Sequence, residues 1–560
     1  MVLFRQYLDG DEIFRGRTSG SSFVNSENIA SDLYRRSIEV PNRVGLIFED
    51  GRALTFAQWE ERAAKCSSFL AIDLGVKRGD RVALYLQNSI DLAALLFGCW
   101  KIGAVPITLS VMYNTDEVES ALKKTGAVAI FTHANHVRNV LDSKSIFPNN
   151  PQMKVVVANN VDGTSNGLDP VMNCISMESL LSTAVPMHEM IAPEADYEGT
   201  ILFTGGTTGL PKAVTVTHSG TRSSLGTLAK ASKRGMEGPY LAVDESVTPN
   251  LLALPLFHSG GQQALLFALY VGRSIVLMER FRVQILSTLV EKYKIDNLFL
   301  MPTMLYDIVH AKERIELKSI RSVLIAGQAL DPNLKQEFET NWSIPIFSNY
   351  GSTEIGHVAG WTSSDLKAKR WKPGPVGRIY DGVVVEIRDD EGAVVAVGQS
   401  GEIWVKASLS KGYIDEFAGN PGELVVDGWV GSGDIGYIDE DRLLYLVGRK
   451  RDMIKTGGFQ VWPQEIELVL RTHSLVADVA VVGIEDPRMG EIPKAFVVID
   501  ERVGTDSSQL ASELIELCRN RLAHYKCIRE VEVIAHLPRS EAGKVQRGEL
   551  ANRSRNQDNK

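Results

Sequence analysis

The chain has 560 residues, 44% of them hydrophobic and 23% charged, a composition typical of a globular protein with about two to four domains. Its formal net charge of −9 argues against a general nucleic-acid binder, which needs clustered Lys and Arg to neutralise phosphates. Five cysteines without a CxxC pair favour reduced thiols and a cytoplasmic location. No apolar run reaches the roughly 18 residues that a membrane span needs.

In the first part of the chain, strand-like runs alternate with longer amphipathic segments, from about residue 27 to 340. One example is the succession of strand 81–86, helix 92–102 and strand 105–109. This alternation predicts an α/β domain of mixed, largely parallel sheets flanked by helices. Between about 375 and 448, short β runs separated by turn residues predict a hairpin-rich β subdomain.

The last part of the chain has a pattern of its own. Helix, strand, strand, helix and strand patterns follow one another at 463–472, 478–484, 494–499, 509–523 and 531–535. That is enough for a small α+β domain. We therefore predict an N-terminal domain over 1–450 and a C-terminal domain over 451–560, with a disordered polar tail at about 551–560.

The most informative segment is ILFTGGTTGLPKAVTVTH at 201–218, in which an apolar strand enters a Gly- and Thr-rich loop that Lys212 closes. Backbone N–H groups, hydroxyls and a lysine together suit a polyphosphate, although a flexible loop with a solvated lysine remains open. The loop is not a Walker A motif, since Pro211 separates Gly209 from Lys212. A GxGxxG match at 431–436 is rejected, because it leads into a predicted strand rather than a helix.

Further motifs occur along the chain in a fixed order. They are PLFHSGG at 255–261, NYGSTE at 349–354, GEIWVKA at 401–407, SGDIGYID at 432–439, GRKRDMIKTGGFQVWPQEIE at 448–467 and PRSEAGKVQR at 538–547. With the phosphate loop, they make the chain resemble the AMP-forming acyl-CoA synthetase superfamily, which includes firefly luciferase, coumarate-CoA ligases and peptide-synthetase adenylation domains. The resemblance covers residues from about 30 to 550.

The resemblance implies a two-step ligase. A carboxylate attacks the α-phosphorus of ATP, pyrophosphate leaves, and the thiol of CoA then displaces AMP from the acyl adenylate. The expected small-molecule partners are a carboxylic acid, ATP and CoA, with Mg²⁺ as metal cofactor, in a monomer or homodimer without nucleic acid.

The resemblance also implies which residues bind ATP. The β- and γ-phosphates are expected at Thr204, Gly205, Gly206, Thr207, Thr208, Gly209 and Lys212. The adenine is expected between Tyr350 and the segment of Gly327, Gln328 and Ala329, with Asn349 and Gly351 beside it. Thr353 is expected to contact the α-phosphate and Glu354 to ligate Mg²⁺, while Asp434 and Arg449 are expected at the ribose.

Catalysis is expected to depend on Lys544, which the resemblance identifies as the lysine that bridges the substrate carboxylate and the α-phosphate. Arg451 occupies the hinge position about which the C-terminal domain of relatives rotates. Gly457 and Gly458 are expected beside the thiol channel. His258, expected at the acyl pocket and the thiol entrance, stands where relatives that activate amino acids carry an aspartate. The acid is therefore expected to lack an α-amine and to be fatty or aromatic.

Other functions remain open at this stage. A stand-alone ligase that loads the pantetheine thiol of a carrier protein is the nearest alternative. A luciferase-like oxidation and a catalytically inactive nucleotide-binding regulator are the others. Lys212, Glu354, Asp434, Arg449 and Lys544 together argue against an inactive regulator. A P-loop phosphotransferase would release ADP instead of AMP.

Overall fold

The computed structural model describes residues 27–142, 153–159, 174–194, 196–204, 212–232, 247–313, 315–406, 409–414, 425–499, 507–539 and 543–558. The helices in these ranges are α1 (Ser31–Glu39), α2 (Phe56–Ile72), α3 (Ile90–Ile102), α4 (Thr115–Thr125), α5 (Val137–Leu141), α6 (Met177–Thr183), α7 (His218–Ala231), α8 (Ser259–Tyr270), α9 (Val283–Tyr293), α10 (Pro302–Val309), α11 (Pro332–Trp342), α12 (Ser363–Lys367), α13 (Pro463–Leu470), α14 (Ser507–Arg521) and α15 (Arg547–Asp558).

The first group of strands precedes the predicted β subdomain. It comprises β1 (Val44–Phe48), β2 (Ala53–Thr55), β3 (Arg81–Tyr85), β4 (Val105–Thr108), β5 (Ala129–His133), β6 (Lys154–Ala158), β7 (Ile175–Ser176), β8 (Glu198–Thr204), β9 (Lys212–Thr217), β10 (Asn250–Leu252), β11 (Ile275–Leu277), β12 (Asn297–Leu300), β13 (Ser322–Ile325), β14 (Ile346–Ser352) and β15 (Gly356–Gly360).

The second group completes the chain. It comprises β16 (Gly377–Ile379), β17 (Val384–Arg388), β18 (Gly401–Lys406), β19 (Ser410–Ile414), β20 (Val425–Val426), β21 (Trp429–Ile438), β22 (Leu443–Arg449), β23 (Ile454–Thr456), β24 (Phe459–Val461), β25 (Val476–Asp486), β26 (Gly490–Ile499) and β27 (Glu530–Val533). The GxGxxG match falls within β21, as the prediction of a strand requires.

Local sequence signals explain where the elements begin and end. The hydroxyl of Ser89 caps the first turn of α3 by accepting the N–H of Leu92, and Gly103 ends this helix in the left-handed conformation. Helix α3 is buried along most of its length, in keeping with its apolar sequence. It packs against α2, and both contribute to the main hydrophobic core.

Four sheets organise the described residues. Their strand orders are β10-β11-β1-β2, then β19-β9-β8-β4-β3-β5-β6-β7, then β12-β13-β14-β15-β16-β22-β21-β18-β17 with β20 on β21, and β24-β23-β26-β25 with β27 on β26. Strands β12, β13 and β14 pair in parallel, whereas the pairs from β14 through β17 are antiparallel. The mixed α/β class agrees with the prediction, and β14 is the strand that joins the parallel to the antiparallel half.

Two details differ from the sequence-based expectations. Strand β19 lies within the segment predicted as the β subdomain, but it pairs with β9 in another sheet, because its partner is distant in sequence. The tail expected to be disordered continues as α15 to Asp558. Ser554 is buried there and Arg553 Nε lies 2.8 Å from Glu532 Oε1, so tertiary contacts hold a helix whose composition is polar.

The five cysteines are free thiols, and four of them are buried. Among the described residues, no helix combines the length and the apolar character that crossing a membrane would require.

Candidate active site

The predicted phosphate loop connects two neighbouring antiparallel strands. Thr204 ends β8 and Lys212 begins β9, and the two residues form a cross-strand pair. The Lys212 ammonium lies 4.8 Å from the ring centroid of Tyr413 on β19, which indicates a cation–π contact. The loop residues between the strands, including the predicted Gly205, Gly206, Thr207, Thr208 and Gly209, lie outside the described residues.

The turn between β14 and β15 presents Thr353 and Glu354. Tyr413 Oη donates to Glu354 Oε1 at 3.2 Å, and Ser352 Oγ donates to Oε2 at 2.6 Å. The Thr353 hydroxyl lies 3.0 Å from the hydroxyl of Ser259, the first residue of α8. These bonds fix the orientation of both side chains while each carboxylate oxygen keeps a further lone pair.

Asp434 and Arg449 face each other across β21 and β22. Arg449 Nε donates to Asp434 Oδ1 at 2.9 Å, and Tyr350 Oη donates to Oδ2 at 2.8 Å. Burial, followed by the Asp434 charge, raises the pKa of Tyr350 well above its usual value, so the phenol stays a donor. The contact joins β14 to the antiparallel half of its sheet.

Lys544 comes from the other end of the chain to this same region. The preceding Gly543 has φ +70°, and a Cβ there would lie 2.3 Å from Cγ2 of Thr303 on α10, so only glycine permits this close approach. The Lys544 side chain keeps solvent access, and the region between it and the turn of β14 and β15 is called the cleft. Desolvation by the surrounding protein, followed by the positive charge of Arg449, lowers the pKa of Lys544, whereas the negative charges of Glu354 and Asp434 raise it.

His258 precedes α8 and lies near the same lysine. Burial lowers the pKa of His258 to about 4, and the Lys544 charge contributes, so the imidazole is neutral at pH 7. The structure thus brings together Lys544, Glu354, Asp434 and Arg449 with His258, although they come from four separate segments.

The remaining predicted residues occupy turns. Gly327, with φ +94°, follows β13 and precedes Gln328 and Ala329. Gly457 and Gly458, both with positive φ, form the two-residue turn between β23 and β24, which belongs to the small C-terminal sheet. Arg451 lies in a single 3₁₀ turn (Lys450–Asp452) directly after β22.

Sequence reasoning missed several residues that shape this cleft. Tyr413, Ser352 and Ser259 each bond or contact a predicted site residue. Ser352 and Ser259 lie inside quoted motifs, so adjacency could have identified them. Tyr413 lies outside every quoted motif, and only the pairing of β19 with β9 brings it to the site.

Comparisons with known proteins agree with this geometry. The family model described as AMP-binding enzyme matches residues 34–414, and the model of the AMP-binding enzyme C-terminal domain matches 465–544. A 4-coumarate-CoA ligase from Narcissus pseudonarcissus is 30% identical, over 89% of this chain and 88% of its own. A long-chain-fatty-acid–CoA ligase from Yersinia pestis is 29% identical, over 93% and 95%.

A solved structure gives the same result. The o-succinylbenzoate coenzyme A synthetase from Bacillus subtilis, in complex with ATP and magnesium ion, has a TM-score of 0.76 and 27% identity, covering 93% of this chain and 98% of that one. The match spans the fold as well as the motifs, and it confirms the predicted resemblance. The chain belongs to the AMP-binding enzyme family, as an α/β enzyme of the adenylate-forming type.

Proposed function

We propose that the protein is an AMP-forming acid–thiol ligase that converts a carboxylic acid to its acyl adenylate and then to a CoA thioester. The observation that carries the proposal is that Lys544, from the small C-terminal domain, comes within the range of the charges of Glu354, Asp434 and Arg449, with Gly543 packed against Thr303. The names of the relatives, which are CoA ligases for aromatic and fatty acids, support the same function.

In this proposal ATP spans the cleft. Tyr350 provides an aromatic face for adenine, and Asp434, held by Tyr350 and Arg449, accepts from the ribose hydroxyls. Asn349 Nδ2 donates to His357 Nδ1 and keeps a second N–H for the adenine edge. The loop from Thr204 to Lys212 holds the β- and γ-phosphates.

Glu354 fits a magnesium ion that is shared with ATP. Among the described residues there is no group of three or more His, Cys, Asp or Glu side chains that could hold a metal. Mg²⁺ at nucleotide sites is commonly bound by one or two carboxylates together with phosphates, so a single oriented glutamate is compatible with it. When bound, the ion would neutralise charge that develops on the departing pyrophosphate.

The chain's own residues supply the rest of the first step. One carboxylate oxygen of the acid forms a bond to the α-phosphorus, and the bond to the β-phosphate oxygen breaks as pyrophosphate leaves. Lys544 donates to an oxygen of the attacking carboxylate and to the α-phosphate oxygens, and the bond to the α-phosphate stabilises the negative charge that those oxygens gather in the transition state. Thr353, oriented by Ser259, donates to the α-phosphate.

The second step requires a thiol in place of Lys544. We assign the hinge to Arg451 and the thiol channel to the turn of Gly457 and Gly458. The thiol sulfur attacks the acyl carbon, and AMP leaves with the electron pair of the acyl–oxygen bond. Neutral His258 lines the entrance without adding a charge to it.

We further propose free CoA as the acceptor and the cytoplasm as the location, supported by the CoA-ligase names of the relatives and by five free cysteines. The test is a carboxylic-acid panel with ATP and Mg²⁺, scored for pyrophosphate, AMP and thioester with CoA, with a purified carrier protein, or with neither. We expect AMP, pyrophosphate and acyl-CoA in equal amounts. ADP as the product would contradict the proposal, and thioester formed only on the carrier protein would replace CoA as acceptor.

A further inference from the structure

The segment 254–258 leads from β10 to α8 and brings His258 near Lys544. It lies outside the helices and strands, so no ladder pairs its backbone groups. Buried backbone N–H and C=O groups nevertheless need partners. Side chains from elsewhere in the chain supply them. They are Asn88, Thr108 and Gln262, which are 3%, 1% and 5% exposed and are together called the buried polar network.

Asn88, which follows β3, bonds to the segment through both ends of its amide. Its Nδ2 donates to the carbonyls of Leu254 and Met278, each at 3.0 Å, and its Oδ1 accepts the N–H of Leu256 at 2.7 Å. Leu254 and Met278 follow β10 and β11, which are neighbours in a different sheet from β3. One buried amide therefore joins the carboxyl ends of strands from two sheets.

Thr108 and Gln262 hold the middle of the segment through a chain of hydrogen bonds. Gln262 on α8 donates from Nε2 to the carbonyl of Leu256 at 3.0 Å and to Thr108 Oγ1 at 3.2 Å. The Thr108 hydroxyl, at the end of β4, donates in turn to the carbonyl of Phe257 at 3.3 Å. A hydroxyl can accept one bond and donate another, which an apolar side chain of the same shape cannot do.

The end of the segment is in close contact with the start of α8. The N–H of His258 donates to the carbonyl of Pro255 at 3.1 Å, and a Cβ on Gly261 would lie 2.0 Å from the same carbonyl oxygen. Ser259 comes next, and its hydroxyl lies 3.0 Å from that of Thr353. A shift of the segment would therefore displace His258 and Ser259 together, and with them the contact that orients Thr353.

We propose that the buried polar network positions the segment 254–258 for the adenylation step, so that its three members are positioning residues of the enzyme. The inference rests on the proposed function. The network bonds to the segment at Leu254, Leu256 and Phe257, directly before His258, and these bonds are made to backbone atoms. The network thus acts through the segment, and a displacement of about 1 Å in a reacting site can cost roughly 10²-fold in rate.

The test compares two substitutions of Thr108 that keep different parts of its side chain. Thr108→Val keeps the shape and removes the hydroxyl, whereas Thr108→Ser keeps the hydroxyl and removes a methyl group. Acid-dependent exchange of pyrophosphate into ATP is measured as a function of the acid and of the ATP concentration. We expect Thr108→Val to lower kcat/KM for the acid by roughly 10- to 100-fold, with KM for ATP within about twofold of the wild-type value. Thr108→Ser should retain kcat/KM within about threefold.

A purely structural role of Thr108 would change the urea midpoint of unfolding and leave the constants of the folded enzyme unchanged. Wild-type constants in Thr108→Val, or an equal loss in both variants, would therefore overturn the inference. Gln262→Met keeps the length of the side chain, removes both donated bonds and should behave as Thr108→Val does. Absence of exchange with every acid in the wild-type protein would instead contradict the proposed function.

Asn88→Ala and Asn28→Ala provide a matched comparison. Asn28 is also buried and makes bonds of the same kind, donating to the carbonyls of Trp100 at 2.8 Å and Ile191 at 3.1 Å and accepting the N–H of Ala30 at 2.9 Å. None of these partners belongs to the segment before α8. We expect both variants to lower the urea midpoint, and only Asn88→Ala to lower kcat/KM for the acid, by roughly 10- to 100-fold. Equal catalytic constants in the two variants would contradict the inference.

Discussion

At the scale of single residues, Lys544 is the group whose position depends most on the rest of the molecule. Its placement follows from the contact of Gly543 with Thr303 and from the charges of Glu354 and Asp434, which favour the ammonium form. A positioned cation of this kind acts on the charge of a transition state.

We therefore predict that Lys544→Ala loses pyrophosphate exchange by roughly 10²- to 10³-fold in kcat, the usual cost of removing one donor from an oxyanion site. The second half-reaction provides the control. Thioester formation from a prepared acyl adenylate and CoA should stay near the wild-type rate, because the proposed second step has the thiol in place of Lys544. Exchange near the wild-type rate in the variant would refute the catalytic assignment.

At the scale of secondary structure, the sequence predicted elements well wherever the signal is local. Strand 105–109 and helix 463–472 were predicted within two residues of β4 and α13. In the candidate site, the quoted motifs supplied Tyr350 and Asp434, whose contact the structure then provides.

The rest could not be predicted because it depends on contacts between distant segments. Strand β19 was placed in the wrong subdomain, since no local pattern specifies that it pairs with β9. Tyr413 was missed for the same reason. Helix α15 is polar in sequence, and pairs such as Arg553 with Glu532 form only when the small domain is folded.

The buried His218 at the start of helix α7 predicts that the stability of the protein depends on pH. Its first residue, His218, is fully buried, and its Nδ1 accepts the N–H of Ile29 at 3.2 Å. Burial, with a contribution from Arg222, lowers the pKa of His218 to about 3. Because the unfolded chain binds this proton more readily, stability is complete above the unfolded pKa of about 6.5 and is lost as the pH falls from there toward 3.

His218→Asn keeps an acceptor for Ile29 and removes the titration. Between about pH 7.5 and pH 5, the free energy of unfolding should fall by about 2 kcal/mol less in the variant than in the wild type. Urea titrations at the two pH values measure this difference. Lost packing lowers the stability of the variant by the same amount at both pH values, so only the change in the free energy of unfolding between them tests the prediction. An equal change in the variant and in the wild type would rule out a neutral buried His218.

At the scale of the whole molecule, Arg471 and Asp331 form an ion pair between the two predicted domains. Arg471, at the end of α13, pairs through Nη1 with Asp331 Oδ2 at 2.9 Å, and its carbonyl accepts from Asn333 Nδ2 at 3.1 Å. Arg471 also pairs with Asp478 within the small domain, at 3.1 Å. The contact therefore stabilises the arrangement in which Lys544 is in the cleft, and the proposed rotation about Arg451 must break it.

Asp331→Asn should shift the equilibrium between the two domain arrangements toward the rotated one. Asn at this position preserves the cap that Asp331 provides to α11. A partly exposed ion pair contributes about 0.2 to 1 kcal/mol, so we expect pyrophosphate exchange to slow by up to about fivefold, with thioester formation from prepared adenylate unchanged or faster. Glu337→Gln, at an exposed position of the same helix, removes the same charge and should change neither rate. Equal slowing of both half-reactions in Asp331→Asn would show that the pair supports folding instead of selecting one domain arrangement.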